Sequence, residues 1–158
     1  MVNSKCRLEL ESTFERGNAI RLTIPIIDRG VGYDGSLMDL SYHNILVYED
    51  SQEFDTYRLA MKDTGANLIH SNRLQDAIKI LDEERISIIF LDLAVLEIDI
   101  SLFVSRVNNE YQGIPIIGIS KDTSYKSWKR NIQSGVNVVL GKPIDVKELK
   151  ETIKQFLS

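Results

Sequence analysis

The sequence predicts an α/β protein with a doubly wound, five-stranded parallel sheet, preceded by a β-hairpin and a linker. Short apolar runs and segments of helical periodicity alternate five times from residue 44 onward, and such alternation is typical of a parallel sheet covered by helices on both faces. Residues 6–27 instead alternate apolar and polar side chains on either side of a turn-forming stretch, as hairpins do. A glycine-containing stretch without periodicity separates these two parts.

Composition narrows the class of protein. The chain has 158 residues, of which 43% are hydrophobic, which is enough for the core of one domain. Its net charge of −4 argues against a nucleic-acid binder that relies on a basic face. Cys6 is its only cysteine, so an intrachain disulfide is excluded. No apolar run is long enough to span a bilayer and no signal-peptide core precedes residue 12, so we expect a cytoplasmic protein without direct membrane insertion.

The amino-terminal part predicts a hairpin within residues 1–28 and a linker over residues 29–43. Residues 6–12 and 19–26 have the two-residue alternation of strands, and Arg16–Asn18 supplies turn-forming residues. Pro25 is expected to end the second strand or to place it at a sheet edge. Because an unpaired edge invites pairing, homodimerisation through this hairpin is left open.

The second part, residues 44–158, predicts five strands and five helices in strict alternation. The predicted strands are Asn44–Tyr48, Asn67–His70, Ile86–Leu93, Ile114–Ser120 and Val136–Leu140. Helices are predicted over residues 51–64, around 74–81, around 102–107 with Leu102 among its apolar residues, over 124–134 and from about 145 to the carboxyl terminus. Asp50 with Glu53, and Asp145 with Glu148, have the spacing of a capping box.

Polar side chains follow four of the five predicted strands. Glu49 and Asp50 follow the first, Asp92 ends the third, Ser120 ends the fourth and Lys142 follows the fifth. In open parallel sheets the functional crevice lies at the carboxyl ends of the strands, so we expect these groups to meet there. Clustered carboxylates favour Mg²⁺, and a metal-bound site of this kind allows one carboxylate to attack phosphorus. Taken singly, Asp50, Asp92 and Ser120 are also residue types that cap helices.

Four motifs in this part carry a family resemblance. "ILVYEDSQ", "IIFLDL", "IPIIGIS" and "VVLGKP" resemble the receiver domain of two-component response regulators over residues 44–158. The resemblance implies a flavodoxin-like fold, with Asp92 as the phosphoacceptor, Lys142 binding the phosphoryl group and Ser120 as the switch hydroxyl. The implied Mg²⁺ ligands are Glu49, Asp50, Asp92 and the backbone carbonyl of Ala94.

The hairpin has a second resemblance, since "CRLELESTFERGNAIRLTIPI" is similar to the last two strands of a histidine-kinase ATP-binding domain. Together the two resemblances imply the carboxyl-terminal portion of a hybrid sensor histidine kinase, with upstream parts that could tether it to a membrane. The implied partners are a histidine-kinase phosphodonor domain and a histidine phosphotransfer domain. This stretch carries no ATP-binding motif or phosphodonor histidine, so it would act as a phosphoacceptor, and whether it is itself an enzyme is left open. His43 and His70 are expected to be surface or packing residues.

Several positions depart from the family pattern. Val95-Leu96 and Ile100 stand where the family has Met-Pro and glycine, Lys121 stands where a small residue follows the switch hydroxyl, and Val139 stands where an aromatic is usual. The altered loop from Leu96 to Ile100 and Lys121 favour an alternative, a degenerate receiver-like module that signals by docking without phosphorylation. A hydrolase or nucleotide-binding protein is disfavoured, because the sequence has no glycine-rich phosphate loop after the first strand of this part and no nucleophile elbow.

Overall fold

The computed structural model describes residues 38–49, 53–94 and 100–157, together with the backbone of two strands at residues 5–13 and 19–27. The chain divides into two compact units, Met1–Ser36 and Leu37–Ser158. The domain boundaries predicted at residues 28 and 43 stay predictions. Among the described residues, no helix is both long and apolar enough to cross a membrane.

The first unit contains two antiparallel strands, β1 (Lys5–Thr13) and β2 (Ala19–Ile27). Their register places Lys5 opposite Ile27 and Thr13 opposite Ala19. Pro25 lies within β2 and does not end it; in a two-stranded sheet both strands are edges, where a missing N–H is tolerated. The predicted turn at Arg16–Asn18 lies outside the described residues.

The second unit is a five-stranded parallel sheet with five helices, which confirms the predicted fold class. The strands pair in the order β4-β3-β5-β6-β7, so the chain starts inside the sheet, moves to one edge and then crosses to the other. Its elements are β3 (Asn44–Tyr48), α1 (Phe54–Met61), β4 (Asn67–Ser71), α2 (Leu74–Glu83), β5 (Ile86–Asp92), α3 (Ile100–Glu110), β6 (Ile116–Ser120), α4 (Tyr125–Gln133), β7 (Val138–Gly141) and α5 (Val146–Leu157).

The core has two layers, one on each face of the sheet. Successive residues of β5 alternate between them: Ile88 and Phe90 pack with residues of α1 and α5, and Ile89 and Leu91 pack with residues of α2 and α3. This two-sided burial explains why β5 is a continuous apolar run in the sequence. Leu40, within the predicted linker, is also buried, and its N–H donates to the carbonyl of Thr64 at 2.7 Å.

Helix starts agree with the sequence at one predicted capping box and differ at the other. The N–H of Glu148 donates to Asp145 Oδ1 at 2.8 Å, so Asp145 caps α5 as predicted. In α1, however, Glu53 itself is the N-cap residue, and its side chain makes no capping hydrogen bond. The capping box predicted from Asp50 and Glu53 is therefore wrong, because it requires Glu53 in the third helical position.

The buried face of α3 contains only some of the apolar residues that predicted the helix. Phe103, Val104 and Val107 are buried, whereas Leu102 is 69% exposed. A helix turns by about 100° per residue, so of two adjacent apolar residues only one need face the core. The apolar residues over 102–107 predicted this helix, and the structure places Leu102 outside its buried face.

Two leucines in helices provide a stability test. Leu149 of α5 is fully buried, so Leu149→Ala should lower the free energy of unfolding by about 2–5 kcal/mol through lost contacts and a cavity. The matched control is Leu102→Ala in α3, which should cost less than about 0.5 kcal/mol because that side chain is exposed. Urea unfolding followed by circular dichroism measures both, and equal losses would contradict the packing of these helices.

Candidate functional site

The candidate site is built at the edge of the sheet where the parallel strands end. Tyr48 of β3 pairs with Leu91 of β5, so the residues that follow, Glu49 and Asp92, leave neighbouring strands side by side. Both are buried, with Glu49 2% and Asp92 3% exposed. A buried carboxylate is costly unless an opposite charge or hydrogen-bond donors compensate for lost water.

Asp92 obtains that compensation from Lys142. The Lys142 Nζ lies 2.6 Å from Asp92 Oδ2, and both side chains are almost fully buried. The other carboxylate oxygen of Asp92, Oδ1, accepts a hydrogen bond from the N–H of Ala94 at 2.9 Å. Two donors thus fix the orientation of a carboxylate that the sheet delivers to its own edge.

Register places Lys142 beside the end of β6. Ser120 pairs with Gly141, and the N–H of Lys142 donates to the carbonyl of Ser120 at 2.9 Å. Ser120 Oγ donates to the carbonyl of Asp122 and accepts from its N–H, both at 3.1 Å. The serine hydroxyl is therefore engaged within its own turn in this structure, and Lys121 beside it is exposed.

A second carboxylate reaches Lys142. Glu53 Oε2 lies 3.3 Å from Lys142 Nζ, and the Glu53 side chain is 33% exposed. Burial lowers the pKa of Lys142, but the hydrogen bond and charge of Asp92, together with Glu53, raise it by more, so its pKa lies above the ordinary value of 10.5. Lys142 is therefore held as a buried cation between two anions.

His70 and Tyr57 lie close to these acidic groups. His70 Nε2 is 3.2 Å from the backbone carbonyl of Glu49 and 3.7 Å from its Oε1, and the imidazole packs on Phe54 with 4.7 Å between ring centroids. A carbonyl only accepts, so the hydrogen bond requires the proton on Nε2. Burial, and then the charges of Glu49, Glu53 and Asp92, raise the pKa of Tyr57. The phenol therefore stays protonated and neutral beside the anions.

The donor atoms at this edge fit a small, hard cation. Two buried carboxylates leave adjacent strands, and Mg²⁺ is commonly held by one or two carboxylates with water completing its shell. The third predicted carboxylate, Asp50, lies outside the described residues. Within the described part of the chain, no three acidic, histidine or cysteine side chains converge as a complete metal site.

The structure brings Asp92, Lys142 and Ser120 to one edge, as expected from the strand ends. Sequence reasoning missed Glu53, whose spacing from Asp50 was interpreted as a helix cap. No sequence signal places its carboxylate at Lys142, since that contact depends on where α1 begins. The family departures at Val95 and Leu96 lie outside the described residues, and Val139 is half-buried.

Comparison with known proteins identifies the family. The family model for the response regulator receiver domain matches residues 45–154. The chain therefore belongs to this family of two-component signalling domains. Receiver domains interact with phosphodonor kinases or phosphotransfer domains. Membership of this family supports signalling by phosphorylation. It does not favour the alternative of a degenerate module that signals by docking alone.

The sequence is similar to the CAI-1 autoinducer sensor kinase/phosphatase CqsS of Vibrio cholerae, with 26% identity over 105 residues. That match covers 64% of this chain but only 15% of the kinase. A response regulator from Thermotoga maritima has a TM-score of 0.67 at 21% identity, covering 73% of this chain and 97% of that one. The receiver domain of sensor histidine kinase PA1611 from Pseudomonas aeruginosa, solved with magnesium in its active-site cleft, has a TM-score of 0.64 at 18% identity, covering 72% and 96% of the two chains.

The Asp92–Lys142 ion pair leads us to predict that the pKa of Lys142 depends on Asp92. In Asp92→Asn this pKa should fall, because the burial that lowers it remains while the main charge that raises it is gone. In the wild type the folded-state pKa exceeds the unfolded value, so the lysine's contribution to stability is complete below pH 10.5 and is lost as pH rises through the folded-state pKa.

NMR titration of the Lys142 Cε shift measures this pKa in the wild type and in Asp92→Asn. Glu148→Gln, an exposed charge change on α5, serves as the control and should leave the titration unchanged. An unaltered pKa in Asp92→Asn would show that Asp92 does not hold the lysine.

Proposed function

We propose that this chain is a Mg²⁺-dependent phosphorelay receiver in which Asp92 accepts a phosphoryl group from a phosphohistidine. The observation that carries the proposal is the buried Asp92–Lys142 pair at the carboxyl end of β5, 2.6 Å apart. Two donors, the N–H of Ala94 and the ammonium of Lys142, fix the orientation of the Asp92 carboxylate. Such fixed geometry favours nucleophilic attack on a phosphorus presented in line.

In the proposed reaction, an Asp92 oxygen forms a bond to phosphorus while the bond from phosphorus to the imidazole nitrogen breaks. The electron pair of that bond stays on the imidazole, and the product on this chain is an acyl phosphate. Lys142 transfers its hydrogen bond from the carboxylate to a phosphoryl oxygen, and Ser120 donates its hydroxyl to another. Mg²⁺, held by Glu49, Asp50, Asp92 and the Ala94 carbonyl, would supply neutralisation of the phosphoryl charge.

We further propose that the receiver belongs to a hybrid sensor histidine kinase and passes its phosphoryl group to a histidine phosphotransfer domain or to water. The similarity to a sensor kinase/phosphatase over 105 residues supports this origin. Two further proposals come from the sequence. Other parts of such a kinase would tether the chain to a membrane, and the hairpin would form a homodimer.

The acceptor assignment predicts a simple labelling result. Incubation of the wild type with acetyl phosphate and Mg²⁺ should give a phosphoryl adduct by intact mass spectrometry, and Asp92→Asn should give none because the nucleophile is absent. Asp122→Asn, which changes an exposed aspartate near the same edge, should retain the adduct. Labelling of Asp92→Asn to the wild-type level would refute Asp92 as the acceptor.

The metal assignment predicts weaker Mg²⁺ binding in Glu49→Gln. Loss of one of few carboxylate ligands should raise the Kd for Mg²⁺ by about tenfold or more, as calorimetric titration would measure. Glu83→Gln, an exposed residue of α2, should bind Mg²⁺ as the wild type does. Equal affinity of the wild type and Glu49→Gln would remove Glu49 from the ligand set.

A further inference from the structure

Lys142 is shared between two carboxylates in the resting chain. Its Nζ lies 2.6 Å from Asp92 Oδ2 and 3.3 Å from Glu53 Oε2. The lysine side chain is 6% exposed, so these anions compensate its charge where water has little access. Any new anion that binds Lys142 must therefore compete with contacts that already exist.

Glu53 is available for this contact because α1 does not use it. It occupies the N-cap position with a helical φ of −87° and ψ of −3°, and its side chain makes no capping hydrogen bond. Burial raises the pKa of Tyr57 most, and the charge of Glu53 raises it further together with those of Glu49 and Asp92. Glu53 therefore places an acidic group at the rim of the site. Its side chain is one third exposed and contacts the buried lysine.

We propose that Glu53 is a positioning residue that holds Lys142 against the unphosphorylated Asp92 and competes with the phosphoryl group for this lysine. This inference rests on the proposed function. When Asp92 becomes an acyl phosphate, its own negative charge is lost and two negative charges appear on the phosphoryl oxygens. Lys142 then has to leave Glu53 at least in part, and Glu53 repels the new group. Glu53 thus lowers the fraction of chains that are phosphorylated at a given donor concentration.

The proposal predicts two effects of opposite sign in Glu53→Gln. The phosphorylated fraction should rise, because a competitor for Lys142 and a nearby negative charge are removed. The Kd for Mg²⁺ should also rise, because a negative charge beside the proposed metal site is removed. General damage to the site would weaken Mg²⁺ binding and also lower phosphorylation, so the two directions together distinguish competition from damage.

The experiment compares the wild type, Glu53→Gln, Glu53→Asp and Asp55→Asn. Asp55 is the matched control, since it lies on the same first turn of α1, its side chain is 87% exposed and it pairs with Arg58. The ratio of phosphorylated to free chain is measured by intact mass at saturating Mg²⁺ with a fixed acetyl phosphate concentration, and Mg²⁺ affinity is measured by calorimetry.

In Glu53→Gln we expect this ratio to rise about threefold or more and Mg²⁺ affinity to fall by about twofold or more, as is reasonable for one partly exposed charge. Glu53→Asp, which keeps the charge, should lie closer to the wild type, and Asp55→Asn should change neither quantity by twofold. An unchanged or lower ratio in Glu53→Gln, with a labelled wild type, would overturn the role of Glu53 and leave the proposed function standing. A wild type without label would overturn both.

Discussion

The arrangement of the receiver unit depends on compensating a carboxylate that the sheet buries at its own edge. Asp92 is the last residue of the central strand β5, and burial of its charge is tolerated because Lys142 supplies a cation at 2.6 Å. That lysine comes from a chain segment 50 residues away, so the pair closes only when β6 and β7 are added in register. The Asp92–Lys142 pair at the candidate site therefore forms only in the completed sheet.

The apolar part of the molecule supports this edge directly. Gly118 of β6 lies under Leu93, which follows Asp92, and a Cβ at Gly118 would approach Leu93 Cδ1 to 2.8 Å and Val136 Cγ1 to 3.1 Å. The small residue thus lets the chain leave β5 across its neighbour, where the N–H of Leu93 donates to the carbonyl of Ile119. Close packing at this point helps to set the direction in which Asp92 faces.

The sequence predicted those features of the fold that follow from a local pattern of apolar and polar residues. Continuous apolar runs and strict alternation are consequences of burial on both faces, so the five strands, their parallel pairing and the position of Asp92 at a strand end could be predicted. The start of α1 and the outward face of Leu102 could not, because a helix start depends on which side chain satisfies the first N–H groups, and a face depends on tertiary packing. Glu53 was missed for this reason: its spacing fits a cap, and only the folded chain shows it at Lys142.

Both groups that would recognise a phosphoryl anion are already engaged in the resting chain. Lys142 bonds to Asp92 and Glu53, and Ser120 Oγ bonds within the turn to Asp122. In the proposed reaction these two groups would exchange their present hydrogen-bond partners for phosphoryl oxygens. The turn at Asp122 leads directly into α4, whose N-cap is Ser124, and Asp122 Oδ1 accepts from the Ser124 N–H. The turn that engages the Ser120 hydroxyl is therefore continuous with the hydrogen bonds that begin α4.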